Sequence, residues 1–98
     1  MIRFLRSAQF TRGKGAVQWA KETTDYVNAQ NPEISLQVFT ARFGDVNKIY
    51  WMADFEDFAA LERWQAQVGS DAGYRELRRK STDTLIEGSI FDTVMVPA

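Results

Sequence analysis

The chain of 98 residues contains no histidine and no cysteine, and these two absences remove whole branches of chemistry. Zinc sites of the usual kind, haem held by imidazole, Ser-His-Asp and Cys-His nucleophiles, redox dithiols and disulfides each need one or both residues. Only two prolines occur, Pro32 and Pro97, and both fall where elements are expected to stop. No apolar run approaches the roughly 18 residues that cross a bilayer, so no membrane partner is expected. Neither sign of charge is in excess: 12 Lys plus Arg against 13 Asp plus Glu leave a net charge of -1. The chain as a whole therefore offers no electrostatic footprint for nucleic acid. Arg3 and Arg6 come too early for the apolar core of a signal peptide, and the cytoplasm is the expected compartment. What is there, 45% hydrophobic and 13% aromatic residues, suits one globular domain over residues 1–98.

Residues 2–10 alternate and are rich in Phe, Leu and Ile, which predicts a first strand closed by the polar stretch Thr11-Arg12-Gly13-Lys14-Gly15. Over residues 16–30, Ala16, Trp19, Ala20, Thr23, Tyr26 and Val27 recur at helical spacing, and Asn31-Pro32 ends that helix. Residues 34–43 read as a second strand and residues 48–54 as a third. The turn chemistry of Gly44-Asp45-Val46-Asn47 joins them as a hairpin in which Phe43 opposes Lys48. Asp57, or Asp54, can cap a helix carrying Phe58, Leu61, Trp64, Gln65 and Val68. Gly69-Ser70 interrupts it, and Asp71 can cap a further segment with Tyr74 and Leu77 inward. Arg75, Arg78, Arg79 and Lys80 there read as a solvated face. Residues 85–96 make the fourth strand. The order is β-α-β-β-α-β with the second helix split, a ferredoxin-like α+β fold with a four-stranded antiparallel sheet.

Helices should cover one face of such a sheet, and in a solitary domain water wets the other. The hairpin register puts Ile34, Leu36, Val38, Ile49, Trp51 and Ala53 on the helix side, with Ile2, Phe4, Ile86, Ile90 and Val94. The second face mixes Leu5, Phe39, Tyr50, Met52, Phe91 and Met95 with Arg3, Gln37, Asp54, Glu87 and Ser89. That mixture is too apolar for open water, and a second copy packed face to face would cover it.

In element order and length the whole chain resembles the dimeric α+β barrel superfamily, and more narrowly its NIPSNAP-like and antibiotic-biosynthesis-monooxygenase-like small proteins. Ala41-Arg42-Phe43-Gly44 running into Ile49-Tyr50-Trp51 carries the resemblance, with Asp54-Phe55-Glu56-Asp57-Phe58-Ala59-Ala60-Leu61-Glu62, residues 71–77 and Gly88-Ser89-Ile90-Phe91-Asp92. The resemblance implies a homodimer whose paired sheets enclose a barrel. Haem-degrading relatives hold iron through histidine, which this chain lacks. Cofactor-independent oxygenases of the superfamily would here draw on Trp51 or Trp64 with Tyr50 and Gln37, although the spacing makes both tryptophans core.

The candidate ligand-binding residues are those of the second face: Arg3, Gln37, Tyr50 and Glu87 as polar groups, with Phe39, Met52 and Phe91 as apolar walls. Arg3 and Glu87 would form an ion pair, or bind a small acidic or hydroxylated ligand. Gly13-Lys14-Gly15 lacks the spacing of a phosphate loop. Asp54, Glu56 and Asp57 read as helix-start acids, so neither metal nor cofactor is expected. No complete catalytic constellation is visible, so no catalytic residue is assigned. Binding of a small hydrophobic or aromatic molecule between the sheet and its dimer mate comes first, and a cofactor-independent monooxygenase or small isomerase second. An RNA-recognition-like module comes third, because residues 47–52 lack the glycine that such a third strand carries.

Overall fold

A computed structural model describes all of residues 1–98. Strands β1 (Ile2–Gln9), β2 (Gln37–Thr40), β3 (Lys48–Phe55) and β4 (Phe91–Met95) form one antiparallel sheet in the order β2-β3-β1-β4. Helices α1 (Ala16–Gln30), α2 (Phe58–Ser70) and α3 (Ala72–Lys80) complete the ferredoxin-like order read from the sequence. No helix is long and apolar enough to cross a membrane.

The helices begin and end where local chemistry requires. Gly15 precedes α1 at φ 72°, in the left-handed region where the missing Cβ relieves strain. At the far end of α1, Asn31 donates from Nδ2 to the Val27 carbonyl, taking up one of the last carbonyls of the helix. Asp57 caps α2 by accepting the Ala60 amide at 2.8 Å. Asp71 caps α3 by accepting the amides of Gly73 and Tyr74, and its Oδ1 also accepts the Tyr26 hydroxyl at 2.8 Å.

Alternation decides the two faces of the sheet. Ile2, Phe4, Ala8, Ile49, Trp51, Ala53 and Phe55 are buried under the helices with Trp19, Ala20, Val27, Leu61, Trp64 and Val68. The rings interlock edge to face: Phe4 lies 6.1 Å from Trp64, and Trp19 lies 6.3 Å from Trp51. The opposite face is uncovered. Arg3, Leu5 and Ser7 of β1 lie there beside Met95, Thr93 and Phe91 of β4, and beside Asp54, Met52 and Tyr50 of β3; Gln37 and Phe39 of β2 extend the row.

Several expectations need correction. The β2–β3 connection is residues 41–47 rather than a four-residue turn, and Val38 opposes Trp51 where the hairpin reading opposed Thr40 to Trp51. Gly44 and Asn47 both adopt positive φ, and the Asn47 carbonyl accepts the Phe10 amide, which ties this loop to the end of β1 and leaves Phe43 exposed. The slip is two residues. It therefore preserves every face assignment in the hairpin.

The fourth strand is also shorter than residues 85–96. Leu85 makes only an isolated bridge to Phe10, and a turn with Gly88 at φ 78° follows. The Ser89 hydroxyl accepts the Gln9 amide and donates to the Ile86 carbonyl at 2.6 Å, replacing a ladder bond with a side chain. Ser89 is thereby buried in the turn instead of facing a barrel, while Glu87 is exposed beside it. Phe58, expected inside, lies exposed at the start of α2. Arg78, expected in solvent, is half-buried.

Candidate functional site

Three helices on a twisted sheet of this width do not close completely over it. Between α1, the α2–α3 junction and the helix-facing side of the sheet lies a pocket of about 250 Å³, slightly below the roughly 300–1,000 Å³ of most ligand pockets. Its floor is Phe4, Arg6 and Trp51, and one wall is Trp19, Thr23, Thr24 and Val27 of α1. Trp64 and Val68 of α2 and Tyr74 and Arg78 of α3 close the other side, with Leu85 and Ile90 at the rim.

All three tryptophans line this pocket, and their polar atoms differ in state. Trp19 Nε1 donates to the Leu77 carbonyl at 2.7 Å, holding α3 against α1. Trp51 Nε1 donates to Thr24 Oγ1, which itself donates to the Ala20 carbonyl. Trp64 Nε1 has no partner in the protein, and neither has Thr23 Oγ1, although both residues are more than nine-tenths buried. Orphaned polar atoms of this kind are rare in well-packed interiors. Here both belong to side chains in the pocket wall.

The charge in the pocket is of one sign. Arg6, at a helix-facing position of β1, lies 5.7 Å from the Phe4 ring centroid and forms a bidentate pair with Asp92 at 2.7 and 2.9 Å. That pairing holds its guanidinium above the ordinary value against the opposing effect of burial, with the Tyr74 hydroxyl adding to it. Arg78 belongs to none of the four ion pairs of the chain. No Asp or Glu lines the pocket.

The residues singled out from the sequence lie elsewhere. Arg3, Gln37, Phe39 and Met52 come together in a shallow depression of about 350 Å³ on the open face, with Ser35, Ala53 and Asp54. Tyr50 and Phe91 share that face, each opposite Ser7 in the ladder. Glu87 does not join them. Arg3 opposes Met95 at one end of the β1–β4 ladder, whereas Glu87 lies in the turn beyond its other end. The partner of Arg3 is Asp54, directly across from it on β3, at 2.7 and 3.1 Å. Arg3 holds the Asp54 carboxyl below the usual range, chiefly by hydrogen bonding.

Sequence reasoning missed the helix-side pocket because Trp19, Thr23, Trp64 and Val68 have the spacing of ordinary core. One signal was present: Arg6 stands at the parity of Ile2, Phe4 and Ala8, a fixed charge on an otherwise apolar face.

No protein-family model matches the chain, and no curated protein matches it. Solved structures do. A NIPSNAP family protein of unknown function from Agrobacterium tumefaciens superposes with a TM-score of 0.82 at 16% identity, covering 100% of this chain and 88% of the other. A protein described as an antibiotic biosynthesis monooxygenase superposes at 0.70 and 10% identity, covering 100% and 99%. A dimeric protein of unknown function with a ferredoxin-like fold, from Bacteroides fragilis, matches at 0.70 and 11% identity, covering 96% and 93%. At such identities the likeness is one of fold, and the fold is the ferredoxin-like one shared by NIPSNAP and antibiotic-biosynthesis-monooxygenase-like proteins.

Proposed function

We propose that this chain is a small-molecule-binding subunit of a homodimer, with an apolar, ring-bearing ligand held in the helix-side pocket of each copy. The observation that carries the reading is the pocket itself: about 250 Å³, partly open to solvent between the helices and the sheet, walled by three tryptophans, two of its side chains carrying buried polar atoms without partners. A core selected only for stability closes such a space, because interiors pack like organic crystals. The volume suits a molecule of one or two rings.

The open face supports the second half of the reading. Phe39, Phe91 and Met95 are large apolar side chains left exposed there in a row with half-buried Leu5, Tyr50 and Met52. A second copy packed face to face satisfies them together, and the ferredoxin-like neighbour from Bacteroides fragilis is described as dimeric. In that arrangement Arg3, Gln37, Phe39, Tyr50, Met52 and Phe91 are interface residues before they are ligand contacts. The helix-side pocket has no carboxylate in its lining, and the chain has neither histidine nor cysteine. These residues suit holding a molecule rather than taking a proton from one.

Because Trp19, Trp51 and Trp64 all line the pocket, their emission reports occupancy directly. Titration with a library of one- and two-ring apolar compounds is expected to give saturable changes in tryptophan fluorescence, with a matching rise in melting temperature. A library that moves neither overturns the reading.

A further inference from the structure

We infer that the pocket selects anions: its ligand is a small aromatic or branched apolar molecule bearing a carboxylate, and Arg78 receives that group. The inference rests on the pocket being a ligand site and names the chemistry of what enters it.

Two charged residues, Arg6 and Arg78, are among the sixteen that line the pocket, and both are cations. That is a local departure in a chain whose net charge is -1. The two arginines are not equivalent. Both oxygens of Asp92 accept from Arg6, so its charge is compensated within the protein. Arg78 has no carboxylate within ion-pair distance, although four other basic side chains of the chain each have one.

Arg78 also differs from its neighbours on α3. Arg75, Arg79 and Lys80 are exposed, and Arg79 pairs with Glu76 one turn back. Arg78 alone is drawn inward, one turn beyond Tyr74 on the same side of the helix, and both residues line the pocket. A half-buried arginine with no protein counter-ion in the lining of an aromatic-walled space is a receptor for a planar oxyanion, since its fork of N–H donors matches the two oxygens of a carboxylate. The surrounding low-dielectric walls strengthen that attraction. The remaining lining of tryptophan, valine, leucine and isoleucine dictates the body of the ligand: flat or branched, and apolar.

The test uses three probes of equal size and different charge: 3-phenylpropanoate, 3-phenylpropan-1-ol and 3-phenylpropylamine. Binding to the unmodified full chain is read by tryptophan emission at low salt. The acid is expected to bind at least about tenfold more tightly than the alcohol, as one charge-assisted hydrogen-bonded pair provides, and the amine most weakly. In Arg78→Gln, with folding checked by circular dichroism, the acid is expected to fall to within about twofold of the alcohol. The charge series on the unmodified protein decides the matter even if that variant fails to fold. Equal binding of acid and alcohol overturns the inference and leaves the pocket as a neutral-ligand site. No response to any of the three at millimolar concentration overturns the pocket reading itself.

Discussion

Thr23 and Thr24 are consecutive residues of α1, both buried, both in the pocket wall, and the same substitution at each is expected to act in opposite directions. Valine keeps the β-branched shape, so helix propensity and packing volume change little at either position. At Thr24 the hydroxyl accepts the Trp51 indole N–H at 3.1 Å and donates to the Ala20 carbonyl at 2.7 Å. Thr24→Val strands the indole donor in the core, which costs about 1–3 kcal/mol. At Thr23 the hydroxyl has no protein partner. Thr23→Val removes a buried group that is already unsatisfied, and a gain of about 1 kcal/mol is expected. For a domain of this size each kcal/mol moves the melting temperature by about 4–8 °C. The assay is urea unfolding of the ligand-free protein at one fixed protein concentration, followed by far-ultraviolet circular dichroism, with the m value checked to be unchanged. If Thr23→Val destabilises as much as Thr24→Val, the Thr23 hydroxyl is satisfied and the account of the pocket wall fails.

Sedimentation at micromolar concentration is expected to show a dimer, whereas Phe91→Asp gives a folded monomer, because Phe91 is 67% exposed in the single chain and its loss disturbs only the open face; a monomeric unmodified protein refutes the assembly. Gly69→Ala is expected to raise stability by about 0.5–1 kcal/mol, since that helical glycine has nothing within 4 Å of an added Cβ. Gly73→Ala should instead destabilise by pushing the Tyr26 hydroxyl off Asp71, because a Cβ there would overlap that hydroxyl; a thermal melt that ranks the two variants the other way contradicts this. Asp54 and Asp71 are held below the usual carboxylate range by hydrogen bonds from Arg3 and Tyr26 respectively. Their stabilisation is fully present above about pH 4 and is lost as pH falls through their lowered values. Tyr26 is raised by the same bond to Asp71, so its contribution is complete below about pH 10 and lost above it. Urea midpoints measured from pH 2 to 11 should form a plateau with these two flanks, and Asp71→Asn should diminish both.

The helices, their caps at Asp57 and Asp71 and the division of each strand into two faces were legible because each is written in a local signal: a polar residue before a helical stripe, or a period of two. The hairpin register was two residues off, and the faces survived since a slip of two returns every side chain to its own side. The turn before β4 escaped notice because its determinant, Ser89 bonding to Gln9, joins residues 80 positions apart. An unbroken fourth strand would place Glu87 on the face of Arg3 as its partner. The turn removes Glu87, and Asp54, already on the same face, takes its place. The pocket was illegible for a different reason. It is the space that three helices fail to fill, and such a remainder has no sequence pattern of its own.

Helix α3 contributes no fully buried side chain to the core. It is held by the Trp19 indole on the Leu77 carbonyl, by Tyr26 on its capping carboxylate, and by half-buried Tyr74, Leu77 and Arg78. Such an element is expected to open at a small fraction of the free energy needed to unfold the sheet, with its amides exchanging ahead of those of α1. The wall of the pocket that carries Arg78 is thus the one that yields first. Under the binding proposed above, an occupant gripped by Arg78 is expected to slow the exchange of the nine residues of this helix.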